Sequence, residues 1–261
     1  MNLFKYLESF SWAIGSLIVV AAFVLFTIAG ILIVRKFGNI SRLKAHHDVT
    51  GFIFTNLGVL YAVLLGFTTV NVQQRFDKMK DLSQMEGSYL DELYRDAAAF
   101  SAPDTEKIRT AILVYGKSIV YNEWDTMKQG QPSFESTDDL NNLWNTFYSI
   151  EPSNPKQEIW YSQSITKLNQ LIEIRMSRLV GSVESLGPEM WTFLILDGIA
   201  IMAFMWFFGP ESLTLHLIMS SIFAASAAFL LFLVYSLDTS FSGSTSIAPE
   251  AVTRVLRLFN K

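Results

Sequence analysis

The chain has 261 residues, 51% of them hydrophobic, 17% charged and 21 of them phenylalanine, with a formal net charge of −4. That composition, with a mean hydropathy of +0.31, describes a membrane protein of several spans rather than a soluble globule. The absence of cysteine excludes disulfides and thiolate chemistry, the acidic balance gives nucleic acid no basic footprint, and no nucleotide-binding glycine motif or zinc-protease signature occurs.

Residues 1–11 (MNLFKYLESFS) carry Lys5 and Glu8 and read as a short amphipathic entry. Trp12 to Val34 is free of charge, opened by an interfacial Trp and closed by Arg35 and Lys36. It is too long for a signal-peptide core and lacks a basic leader, so it reads as an anchor that stays. This is the first span, 12–34. The loop 35–50 holds Arg42, Lys44 and the run His46, His47, Asp48. Neighbouring side chains on a helix point about 100° apart and rarely converge on one metal ion. The run reads as solvated loop, with Asp48 or Thr50 capping the next helix.

The second span, 51–74, is charge-free yet carries Thr55, Asn56, Thr68, Thr69 and Asn71. Lipid rewards none of those side chains, and polar groups at that depth face other helices or water. On a helix they belong to two neighbouring stripes. Thr55, Gly58, Ala62, Gly66, Thr69 and Gln73 form one, whose small residues in small-xxx-small spacing are a close-packing signal for a neighbouring helix. Asn56, Val59, Val63, Phe67, Val70 and Gln74 form the other, polar at both ends and apolar between. That pattern suits a helix lining a path with wet mouths and a hydrophobic constriction. It equally suits a helix whose stripes both pack against other helices, and spacing alone leaves both readings open.

The helical pattern continues past Gln74 to about Phe100, with Phe76, Met79, Leu82, Leu90 and Leu93 among its apolar positions. One long helix is expected to leave the bilayer and enter a soluble domain, 75–187. Ser101 caps a helix reaching Met127 that buries Ile108, Ile112, Tyr115, Ile119, Val120 and Trp124. Residues 128–137 read as a loop, and 136–150 as a shorter helix on Leu140, Leu143, Trp144 and Phe147. Asn154 caps the last soluble helix, whose apolar seam is Ile165, Leu168, Ile172, Met176, Leu179, Val183 and Leu186. The carboxylates Glu86, Asp91, Glu92, Glu123 and Asp125 show no paired spacing that demands acid–base chemistry, so no enzyme is expected.

The third span, 191–208, contains Asp197 about two turns in. An ionisable group at such depth costs about 2.5 to 3.5 kcal/mol on insertion scales and is either functional or hydrogen-bonded between packed helices. Gly209 to Ser212 turns the chain into a fourth span, 213–237, with a small-residue face at Ala224 to Ala228. His216, in its first turn, reads as a polar anchor beside Glu211. The tail, 238–261, ends in a short amphipathic helix, 251–259.

The run GVLYAVLLGF (Gly58 to Phe67), the segment ELYRDA (Glu92 to Ala97), the triplet NEW (Asn122 to Trp124) and the Phe-Ser-Gly segment (Phe241 to Gly243) together resemble the bestrophin-like domain family of bacterial and plant membrane proteins. The order of two spans, helical insert and two spans is similar too. That family is distantly similar to bestrophins, pentameric ion channels whose second span lines the pore and whose insert is cytosolic. The resemblance implies an all-α, four-span protein with a helical soluble insert, assembled as a homo-pentamer in a bacterial inner (plasma) membrane. It favours the pore reading: Val59, Val63 and Phe67 as constriction, Asn56 and Gln74 at the mouths, Glu86 as an acidic vestibule residue that would concentrate cations. Bestrophins carry an acidic calcium-binding cluster after their counterpart of Phe241 to Gly243. Here the sequence reads SGSTSIAPE, with Glu250 alone, and no metal or cofactor is expected.

Flanking cations give the same orientation. Lys5, Arg75, Lys78, Lys80, Arg175, Arg178, Arg254, Arg257 and Lys261 outnumber Arg35, Lys36, Arg42 and Lys44, placing termini and helical domain in the cytoplasm. The partners expected are the lipid bilayer, inorganic ions and further copies of the chain. The alternative is a non-conducting sensor or scaffold whose bundle binds a partner; a transporter using Asp197 as ion site is disfavoured by four spans and no inverted repeat.

Overall fold

The computed structural model describes residues 11–38, 47–131, 134, 136–208 and 210–259. The expected entry segment (Ser11 apart), residues 39–46 of the 35–50 loop, His46 among them, the side chain of His47 and Gly209 of the hairpin turn lie outside the described residues. The protein is all-α, with no strand among the described residues. Its helices are α1 (Trp12–Phe37), α2 (His47–Asp96), α3 (Ala102–Ser118), α4 (Trp124–Lys128), α5 (Thr137–Tyr148), α6 (Pro155–Gly181), α7 (Pro188–Trp206), α8 (Leu213–Asp238) and α9 (Glu250–Phe259). Helices α1, α2, α7 and α8 are long and apolar enough to cross a bilayer. This is a four-span membrane protein with a helical insert between its second and third spans. It divides into a membrane unit, Met1–Gln74 with Ser185–Asp238, and a soluble unit, Arg75–Glu184 with Thr239–Lys261; α2 runs unbroken through both.

In the membrane unit α1 packs along α8 and α7. The α8 face that does this is small, with Ser220, Ala224 and Ala228 all buried, while Ser226 points outward and bonds the Ile222 carbonyl at 3.0 Å. Gly30 of α1 lies against the Trp206 indole so closely that a Cβ would fall 2.0 Å from the ring. Phe26 meets the same indole edge-on, with centroids 5.1 Å apart. Asp238 at the end of α8 accepts from the Leu186 amide at 2.7 Å and from the Trp191 indole N–H at 3.0 Å, which ties the end of the fourth span to the start of the third.

The soluble unit forms one apolar core around Ile108, Ile112, Tyr115, Ile119, Trp124, Leu143, Phe147 and Leu168. Both caps expected in the soluble unit are present. Ser101 Oγ accepts from the Asp104 amide, and Asn154 Oδ1 accepts from the Gln157 amide at 3.0 Å while Gln157 Oε1 accepts from the Ser153 amide at 2.9 Å. The C-terminal segment joins this core: the Trp124 indole donates to the Ile247 carbonyl at 2.9 Å and meets Phe241 edge-on. Gly243 has φ of 76°, a left-handed conformation that favours glycine.

Three expectations change. Helix α2 begins at His47, so Asp48 lies in its first turn and Thr50 within it, and neither stands outside the helix as its cap. The helix expected to run to about Met127 does continue to Lys128, but passes through a π turn at Ile119–Glu123. Helix α6 ends at Gly181, and Met176 and Val183 of the expected seam are exposed. Its buried face keeps Leu168 and Leu179 of that seam and adds Leu171, Arg175 and Arg178, the two arginines turning inward to buried carboxylates.

Candidate functional site

Within the chain α2 buries one face of its span, Tyr61, Leu65, Thr68 and Val72, at helical spacing. The stripe Asn56, Val59, Val63, Phe67, Val70 and Gln74 is exposed throughout, Phe67 at 74%. The small-residue stripe is open as well: a Cβ added at Gly58 or Gly66 would meet nothing within 4 Å. Among the described residues no helix sits on Gly58 and Gly66, so the expected close packing is not made by them. Four polar side chains of the span are satisfied on their own helix. Asn56 Nδ2 donates to the Phe52 carbonyl at 2.8 Å, and the hydroxyls of Thr55, Thr68 and Thr69 donate to the carbonyls of Gly51, Leu64 and Leu65. This removes most of the cost of an amide or hydroxyl in hydrocarbon, since the donor is not left unpaired.

Asp197 is half-buried on α7. Tyr61 reaches across from α2, and a Cβ added at Gly198 would lie 3.0 Å from the Tyr61 hydroxyl, so the helices approach closely there. The Tyr61 hydroxyl is buried, has no hydrogen-bond partner among the described residues, and lies within electrostatic reach of Asp197. The ionisable residue of the third span therefore stands beside the buried face of α2, away from the exposed stripe.

Glu86 does not line a vestibule. It is fully buried, and Arg178 donates to it through Nε at 2.7 Å and through a second nitrogen at 3.0 Å. Arg178 also donates to Glu123 at 2.7 Å, and Glu123 accepts in turn from Arg175. Two carboxylates and two guanidinium groups thus close a charge-balanced chain inside the soluble unit. The π turn aims Glu123 into it, and the Trp124 ring lies 4.7 Å from the Arg178 guanidinium. Burial raises the Glu86 carboxyl above the ordinary carboxylate range, opposed by the charge and hydrogen bonds of Arg178. Burial also pushes the Tyr115 phenol well up, and the negative charges of Glu86 and Glu123 add to the shift. The sequence reading passed over this network. Its one signal is that Arg175 and Arg178 fall in phase with Leu168 and Leu171, where charge on an apolar face requires a buried partner.

Beside the Phe-Ser-Gly segment a cavity of about 310 Å³ lies between α2 and the start of α9. Its polar lining is Lys80, Ser83, Gln84, Thr245, Ser246 and Glu250. Calcium takes six to eight oxygen ligands, with several carboxylates in high-affinity sites. One carboxylate beside a lysine ammonium does not fit that ion.

The description "Bestrophin-like domain" matches residues 21–252 of the chain. Two solved variants of a bacterial bestrophin homologue from Klebsiella pneumoniae share its fold. One has a TM-score of 0.71 at 14% identity, covering 92% of this chain and 97% of that one. The other has a TM-score of 0.68 at 14% identity, covering 93% and 99%. A further solved structure, titled only as a membrane protein, gives 0.71 at 14% identity over 92% and 97%. No curated protein matches the chain by sequence.

Proposed function

The chain belongs to the Bestrophin-like domain family, and on that premise we propose that it is a homo-oligomeric ion channel whose path is lined by Asn56, Val59, Val63, Phe67, Val70 and Gln74 of α2. The observation that carries this reading is the division of α2 into faces. Tyr61, Leu65, Thr68 and Val72 are used up inside the chain, while Val59, Val63, Phe67 and Val70 are each more than half exposed. A hydrophobic stripe ended by Asn56 and Gln74 suits a constriction between wet mouths when copies of the chain surround an axis. The open Gly58, Ala62 and Gly66 stripe supplies a surface on which a neighbouring copy's helix can approach closely. Five copies are the number that the family resemblance favours.

The same resemblance and the excess of flanking cations support a bacterial plasma membrane location with the helical unit and both termini in the cytoplasm. Asp197 acts in this reading from behind the lining helix, through Tyr61. Since Glu86 is internally neutralised, it supplies no field to select cations, and the sign of the permeant ion is left to the pore mouths. The test is ion flux from liposomes holding the purified chain, under separate cation and anion gradients. Flux under at least one gradient is expected. Sealed liposomes under every gradient and voltage would instead favour a non-conducting sensor or scaffold.

A further inference from the structure

The membrane unit holds a second cavity, of about 360 Å³, where the ends of α7 and α8 meet α2. Its walls are apolar: Phe54, Met205, Phe208, Pro210, Leu215 and Met219. Leu215 is 53% and Met219 62% exposed, so the cavity opens on the surface that this unit offers to lipid. Two polar side chains interrupt the apolar lining, His216 and Ser220, and both are at least 96% buried.

Part of the hydrogen-bonding capacity of these two is unspent. His216 Nε2 lies 2.9 Å from the Met205 carbonyl oxygen, which only accepts, so Nε2 carries the proton. The neutral ring then keeps Nδ1 as an acceptor, and Nδ1 has no partner among the described residues. Ser220 likewise shows no hydrogen bond to a described residue, whereas the hydroxyls of Ser226, Thr68 and Thr69 bond their own helix. A buried acceptor left unpaired is costly, and a fitting guest removes that cost.

We propose that this cavity is a binding site for a membrane-dissolved alcohol, an amphiphile with an apolar body and a single hydroxyl. The body fills the space between the phenylalanines and methionines. The hydroxyl donates to His216 Nδ1 and accepts from Ser220, so one group serves both. A carboxylate lacks the proton that Nδ1 needs, and a plain alkane leaves both groups unpaired. Polar-group matching of this kind inside an apolar pocket is how small-molecule sites set orientation and specificity.

The experiment is photolabelling of the full chain in liposomes with a diazirine-bearing dodecanol, competed by dodecanol or by dodecane. Label is expected on residues 205–220, displaced by dodecanol and spared by dodecane. Ser220→Ala should weaken displacement by dodecanol about three- to tenfold, the worth of one hydrogen bond, and Met219→Trp should exclude the label by filling the cavity from its exposed wall. Equal competition by alcohol and alkane would overturn the proposal, as would label that avoids 205–220, or wild-type labelling that Ser220→Ala and Met219→Trp both leave unchanged. Protection of 205–220 by a second copy of the chain, seen as cross-linking through Met219→Cys, would overturn it too.

Discussion

The two halves of α2 solve the same problem in opposite ways. From Gly51 to Gln74 the polar side chains of Thr55, Asn56, Thr68 and Thr69 bond carbonyls of their own helix, and large apolar side chains are left exposed. From Arg75 to Asp96 the apolar side chains of Met79, Leu90 and Leu93 are buried in the soluble core, and Glu86 is satisfied by an arginine far away in sequence. One half pairs these four polar groups locally and leaves its apolar face open. The other is packed and depends on a remote partner for its charge. The first half therefore presents an apolar face to its surroundings, and the second fails if one partner of its buried charge is lost.

The sharpest break in that contrast is Arg178→Met. It strands Glu86 and Glu123 without their shared guanidinium, and the soluble unit should lose about 3 to 5 kcal/mol, read by thermal denaturation in detergent. Next, Gly30→Ala places a Cβ against the Trp206 ring and should cost about 1 to 3 kcal/mol. Gly66→Leu should leave the stability of a single chain within about 0.5 kcal/mol, because nothing stands within 4 Å; its effect should appear instead as loss of the assembled species on cross-linking. The smallest effect belongs to Lys167, which bonds Asp96 at 2.8 Å and Glu92 at 2.9 Å. Burial pulls its ammonium down, but those bonds and charges outweigh burial and raise it above the ordinary lysine value of 10.5. Its contribution is thus fully present below 10.5 and lost as pH rises through the higher folded value. Denaturation midpoints of wild type and Lys167→Gln should differ by under about 1 kcal/mol at neutral pH and converge at strongly alkaline pH.

Spans and caps were legible because they depend on local rules. A charge-free run of sufficient length, or Asn154 three residues ahead of Gln157, carries its meaning within a few positions. The buried network was not, since Glu86, Glu123 and Arg178 are distant in sequence and only folding brings them together. Counting apolar positions alone put Met176 and Val183 on the core face of α6 and left Arg178 out, although Arg178 is fully buried and Met176 is not. The small stripe of α2 shows a further limit: Gly58, Ala62 and Gly66 announce close packing without saying whether the partner belongs to the same chain.

The pore assignment is tested most directly by thiol accessibility, since the chain has no cysteine of its own. Cysteine placed singly at Val59, Val63 or Phe67, and at buried Leu65 as a control, would be treated with a charged methanethiosulfonate while ion flux is followed. Modification at Val59, Val63 and Phe67 that changes flux, with Leu65 inert, is the expected result. Modification at those three positions with flux unaltered, or an effect confined to Leu65, would contradict a path lined by this stripe.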